Sequence, residues 1–304
     1  MRIWIAALTI LSVAGFVRAD ELNDDYADLK AAEAKKDPDE VLKLAAQVSK
    51  LARAEEALPK PSDAAEAETW KQRQEFGKQV DLFSEYALST TAIASADTAK
   101  TVALVDQLLH QNPKSQYLAS CSDVYLNALA KERPKQKLDG AKSILNANPN
   151  NEDALFALAQ GYMSSNATAD QAGTYAVRLV NVLKSKAKPE GVAEADWERK
   201  KTYLLGEGYY IAGATACVRS IWTDCDKQLR AAIPYLGKEY SVLGPAYFYL
   251  GLSNYQLGKL TGDRSKVQEG EKFSEQSAAI AGPMQSQAAR NVAVMKQELA
   301  APRR

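Results

Sequence analysis

Ligands for metals are scarce in this 304-residue chain, which has one histidine, His110, and three cysteines, Cys121, Cys217 and Cys225. A zinc, haem or iron–sulfur centre needs several such side chains converging, and neither a second histidine nor a Cys-x-x-Cys pair is present, so no metal and no cofactor is expected. His110 stands near the end of the apolar stretch Leu108-Leu109-His110-Gln111-Asn112-Pro113, where interaction with helix-terminal carbonyls accounts for it. Net charge is lacking too: 38 basic side chains balance 38 acidic ones, which leaves no strong electrostatic claim on nucleic acid. Runs that alternate apolar with polar residues are missing, and β-branched residues dominate no segment. The chain therefore reads as all-α.

Also absent is any apolar run long enough to cross a bilayer. The longest, Ile3 to Val17, spans about 15 residues against the roughly 20 a helix needs. It follows Met1-Arg2 and precedes Val17-Arg18-Ala19, the pattern of a secretory signal peptide cleaved after Ala19. The mature chain is expected outside the cytosol, in a bacterial periplasm or otherwise secreted, with no membrane span and a net charge of −2 once Arg2 and Arg18 are removed. Export permits disulfides. Cys217 and Cys225 lie eight apart across a segment that reads as a helix-joining turn; a bridge is expected there, with free thiols the alternative, while Cys121 on an apolar helical face reads as a small buried hydrophobe.

What is present is helical periodicity with clear punctuation. Leu22, Tyr26, Leu29 and Ala32 share one face, and Asp37-Pro38-Asp39-Glu40 opens the next helix as cap, first helical residue and capping box. Pro59-Lys60-Pro61-Ser62 stops that helix and caps a third, which runs from Asp63 to about Ile93 as one long helix or two joined end to end. Helical pairs follow, closed by Asn112-Pro113, Asn148-Pro149-Asn150-Asn151 and Ala281-Gly282-Pro283; the first two prolines are 36 residues apart.

Within these pairs a motif recurs. Thr202, Leu205, Gly206, Tyr209 and Gly213 have a near-copy in Tyr247, Leu250, Gly251, Tyr255 and Gly258, the latter closed by Phe273, Ser277 and Pro283. Leu155, Leu158, Ala159 and Tyr162 with Ala172, Tyr175 and Ala176 make a further copy, and Tyr117, Cys121 and Tyr125 a weaker one. On these residues the chain resembles a divergent tetratricopeptide repeat protein over about Ser84 to Ile280. The resemblance implies an α-solenoid of antiparallel helix pairs, a TPR-like superhelix. Its expected division is a signal peptide at 1–19, an N-terminal helical region at 20–95, repeats at 96–283, and a capping helix and tail at 284–304. The motif interval exceeds the family's, 47 residues from Ala159 to Gly206 and 45 from Gly206 to Gly251. Extra residues are therefore expected between helices, around Ala187 to Ala195, Ala214 to Cys225 and Lys259 to Lys266. A second frame, Tyr240, Leu243, Gly244 and Tyr247, competes with the one chosen, which places Pro245 at a helix start.

No glycine pattern here makes a nucleotide site. Gly206-x-Gly208 has no strand before it, and Gly251 to Gly258-Lys259 has the wrong spacing for a phosphate loop and no Ser or Thr after the lysine. The family's concave face remains. Its positions carry over to Phe156, Gln160 and Met163, to Tyr203, Glu207 and Tyr210, and to Phe248, Leu252 and Gln256. That face is aromatic and mildly acidic, and the lysine–asparagine clamp that the family uses for carboxylate tails is missing. The resemblance thus implies a non-enzymatic adaptor that holds a protein or peptide with apolar anchors. The alternatives are a self-associating envelope subunit, and an enzyme or small-ligand carrier with a site in the inserted loops near Trp197, Trp222 and the cysteine pair.

Overall fold

The computed structural model describes residues 21–237 and 239–301, and the expected signal peptide, residues 1–19, lies outside them. Among the described residues all regular structure is helical, and the chain divides into two compact units, up to Asn151 and from Glu152. The divide falls at the Asn148-Pro149-Asn150-Asn151 closure.

In the first unit, helical residues 21–35 (α1) bury Leu22 and Leu29. Asp37 caps α2 (Pro38–Glu56), its Oδ1 accepting from the Asp39 and Glu40 amides at 3.1 and 3.3 Å. α3 (Ala64–Ala94) is a single helix of 31 residues, and its cap is Asp63, one residue past the expected Ser62. α4 (Thr98–Gln111), α5 (Leu118–Glu132) and α6 (Lys137–Ala147) complete the unit. Each helix from α2 onward packs on the next, and α2 also meets α4 as α3 meets α5. Cys121 is fully buried in α5, and burial pushes its thiol up to about 11, so it carries little of the thiolate that reactivity requires.

The second unit repeats this arrangement with α7 (Glu152–Tyr162), α8 (Ala169–Ser185), α9 (Glu194–Val218), α10 (Trp222–Leu236), α11 (Tyr240–Thr261), α12 (Arg264–Ala278) and α13 (Gln285–Ala300). Consecutive helices pack side by side, and α7 touches α9, α9 touches α11 and α11 touches α13. Packing dominated by neighbours and next neighbours is the pattern of a helical repeat. Motif tyrosines fill the space inside each pair: Tyr162 stacks on Tyr175, Tyr209 on Tyr235 and Tyr247 on Phe273, with ring centroids 5.9, 6.0 and 6.1 Å apart.

Two expectations about the motif interval change. Only the segment after Ser185 is the inserted loop it was expected to be; elsewhere the extra residues lengthen helices, α9 to 25 residues and α11 to 22. Pro245 accordingly sits inside α11 rather than at its start. The helical bond it removes would have gone to the carbonyl of Ser241, an exposed first-turn residue where water can serve instead.

The competing frames on α11 prove to be one feature. Gly244, Gly251 and Gly258 are seven apart, two helical turns, so they share a face, and a Cβ at each would strike α12 or the residues that flank it. Gly206 and Gly213 on α9 face α10 in the same way. The closest approach to backbone is Gly270 against Gly251, where a Cβ on Gly270 would lie 2.8 Å from the Gly251 carbonyl oxygen and 2.9 Å from the Tyr255 amide nitrogen. The α9–α10 pair is stapled besides by the Cys217–Cys225 disulfide, Cα atoms 5.1 Å apart. Closing so short a loop contributes roughly 2.5 kcal/mol on the chain-entropy account.

Charge is buried at one point in this unit. Glu152, 4% exposed at the start of α7, accepts a hydrogen bond from Lys186 and pairs with Lys200, which also reaches Asp153 at 2.7 Å. Burial pushes the Glu152 carboxyl up, but the Lys186 hydrogen bond and the Lys200 charge outweigh it and hold the group below the usual glutamate value.

Two outcomes follow from this packing. Gly270→Ala is expected to lower stability by about 2 kcal/mol, since backbone atoms cannot rotate away from the new methyl. Gly206→Ala, which meets mainly Leu236 and Tyr235 side-chain carbons at 3.2 Å, should stay within about 1 kcal/mol of the parent because helix propensity offsets the crowding. Equal thermal midpoints for both variants would contradict the close-approach account. Because the Glu152 pKa is depressed in the folded state, its stabilisation is complete above the ordinary value near 4.3 and is lost as pH falls through the folded value. Glu152→Gln should therefore cost about 2–3 kcal/mol near neutral pH, and urea titrations should show that deficit shrinking below about pH 4.3. A deficit independent of pH would mean that the charge plays no part.

Candidate functional site

A surface cleft of about 660 Å³ opens along the first half of α9. Ala195, Glu198, Arg199, Thr202, Tyr203 and Glu207 line it, and their spacing of three and four residues puts them on one helical face. Tyr235 and Leu236, at the end of α10, form the facing wall with Glu239 just beyond. Gly237, at φ 55°, makes the turn between them at a backbone angle that most side chains resist. The two walls meet where Gly206 abuts Tyr235 and Leu236.

The lining is aromatic and acidic. Tyr203 is 52% exposed, and its ring meets Phe156 of α7 edge-on at 5.8 Å. Tyr235 is also exposed while its ring stacks on Tyr209. Glu207 is half-buried, and among the described residues it forms neither a hydrogen bond nor an ion pair. Burial, then the charge of Glu239, raises its carboxyl above the usual value. Burial likewise raises the Tyr203 hydroxyl, with Glu207 and Glu239 adding to it. Arg199 is the cleft's guanidinium, and it is paired with Asp196 one turn back on its own helix.

The nine positions read from the sequence therefore separate. Tyr203 and Glu207 line the cleft and Phe156 supports its rim. Met163 and Tyr210, with Phe156, pack against the buried cluster Ala159, Ala172, Ala176, Ile211 and Ala212 between α7, α8 and α9, and burial pushes the Tyr210 hydroxyl well up. Gln160 is exposed on α7. Phe248 packs edge-on against its neighbour Tyr249 at 5.4 Å, and Leu252 and Gln256 are half-buried on α11; none of these three lines the cleft.

Tyr235, Leu236 and Glu239 are cleft residues that pattern reading missed. Leu236-Gly237 is a helix-stop signal, so the end of α10 was legible, but which turn of α9 it faces was not. Of the residues expected near the inserted loops, Trp197 and both bridged cysteines are buried and Trp222 is half-buried; His110, read as a helix-end residue, is exposed in the last turn of α4. Among the described residues no group of three or more His, Cys, Asp or Glu is placed to hold a metal ion, and no helix is long and apolar enough to cross a membrane. No protein-family model matches the chain, and no curated protein matches it either.

Proposed function

We propose that this chain is an exported, tetratricopeptide-like adaptor of the cell envelope that holds a segment of another protein and performs no chemistry on it. The observation that carries this reading is the half-exposed Tyr203 ring, backed by Phe156 and standing over an acidic cleft. A large aromatic left partly in water on a rigid helix is the kind of residue that dominates interface energies, because its ordering cost is already met by its neighbours. The signal-peptide pattern of residues 1–19 supports the envelope location.

Tyr203→Ala tests the reading cleanly, since Tyr203 is exposed where Tyr210 is packed into the core cluster. Pull-downs from the exporting cell with the parent protein, Tyr203→Ala and Val294→Ala, a 51% exposed control outside the cleft, should show capture falling at least about tenfold for Tyr203→Ala alone. Circular dichroism and the melting midpoint should be unchanged. Undiminished capture by Tyr203→Ala overturns the cleft as the binding face, and self-association that survives it favours a structural subunit instead.

A further inference from the structure

The cleft also carries a charge pattern that selects among peptides. Along its length from Ala195 to Glu207 it covers twelve residue steps of α9, about 18 Å at the helical rise, which matches about five residues of extended chain. That is longer than a single amino acid or a small metabolite. Among the described residues three carboxylates, Glu198, Glu207 and Glu239, face it against one guanidinium, and Arg199 is already paired with Asp196. Burial, then repulsion from the Glu239 charge, raises the Glu207 carboxyl above its usual value. A cation placed with them would relieve both the repulsion and the partial burial of Glu207. The Tyr203 and Tyr235 rings border the same space, and an aromatic face beside carboxylates is a setting that favours ammonium and guanidinium heads with apolar stems.

Resting on the adaptor reading above, we infer that the cleft recognises a lysine or arginine side chain on an extended segment of the partner, its charged head at Glu207 and Glu239 and its stem against Tyr203. The chemistry is opposite in sign to a carboxylate clamp, so an acidic tail is repelled where a basic segment is held.

The test uses the full-length protein, immobilised, and pools of pentapeptides with mixed flanks and one defined central residue. Lysine and arginine pools should be retained at least about tenfold more than norleucine or glutamate pools, the preference falling as salt rises. The isosteric double variant E207Q/E239Q should lose that preference while its circular dichroism and melting midpoint stay at or above the parent's. Equal retention of the lysine and glutamate pools, or a lysine preference that survives in the double variant, overturns the inference. So does displacement of the lysine pool by spermidine at concentrations below those of the peptide, which would make a free polyamine the occupant. The outcomes separate from those of the adaptor reading: if the double variant keeps full capture of the cellular partner and Tyr203→Ala loses it, only the basic-residue inference fails, whereas undiminished capture by both removes the cleft altogether.

Discussion

Helices α9 and α11 lie close against their partners because glycines recur every two turns on the faces where they touch. Gly206 and Gly213 open α9 toward α10, and Gly244, Gly251 and Gly258 open α11 toward α12. A narrow two-helix layer has little core of its own, so close backbone approach supplies the dispersion contacts that larger side chains would otherwise provide. The stacked pairs Tyr209–Tyr235 and Tyr247–Phe273 then occupy the space beside the glycines. The cleft depends on the same contact: where Gly206 meets Tyr235 and Leu236, the end of α10 is held against the turns of α9 that carry Tyr203 and Glu207.

Carboxylates drawn wholly or partly out of water have two fates in the second unit. Glu152 is enclosed with two lysines and is held ionised, a satisfied ion cluster that ties α7 to α8 and α9. Glu207 is half-buried with another carboxylate for its electrostatic neighbour and a shifted affinity for protons in the opposite direction. The first arrangement is complete in itself. The second leaves charge uncompensated among the described residues, and it does so at an open cleft rather than inside a layer. Sites that bind are commonly built this way, from groups left short of what a purely structural role would supply.

Much of the helical layout was legible in the chain. Asp37-Pro38 marked its cap, Asn148-Pro149 marked a closure that is also the divide between the two units, and the Leu-Gly-x-x-Tyr spacing marked helices that pair. Spacing alone misled where helix length was concerned. The long motif interval suggested loops, whereas α9 and α11 simply continue, because Ala214, Thr215 and Ala216 are as compatible with a helix as with a turn and are buried in one. Pro245 was harder still: one lost hydrogen bond at an exposed first turn is tolerable, and sequence does not reveal which turn is exposed.

The sequence by itself determined the all-α class, the pairing of neighbouring helices and the presence of aromatic and acidic residues on α9, and it left the cysteine pair with two readings of which the structure shows the bridge. Each of these follows from local periodicity, capping or short separation along the chain, which a linear pattern records. Only the tertiary structure decided that Tyr203 and Glu207 share a cleft with Tyr235 and Glu239, while Tyr210 is packed into a cluster and Phe248 lies elsewhere. Which turn of one helix faces which turn of the next is set by the fit of glycines against side chains across the pair, and that register is a property of two surfaces in contact, written in neither strand of sequence alone.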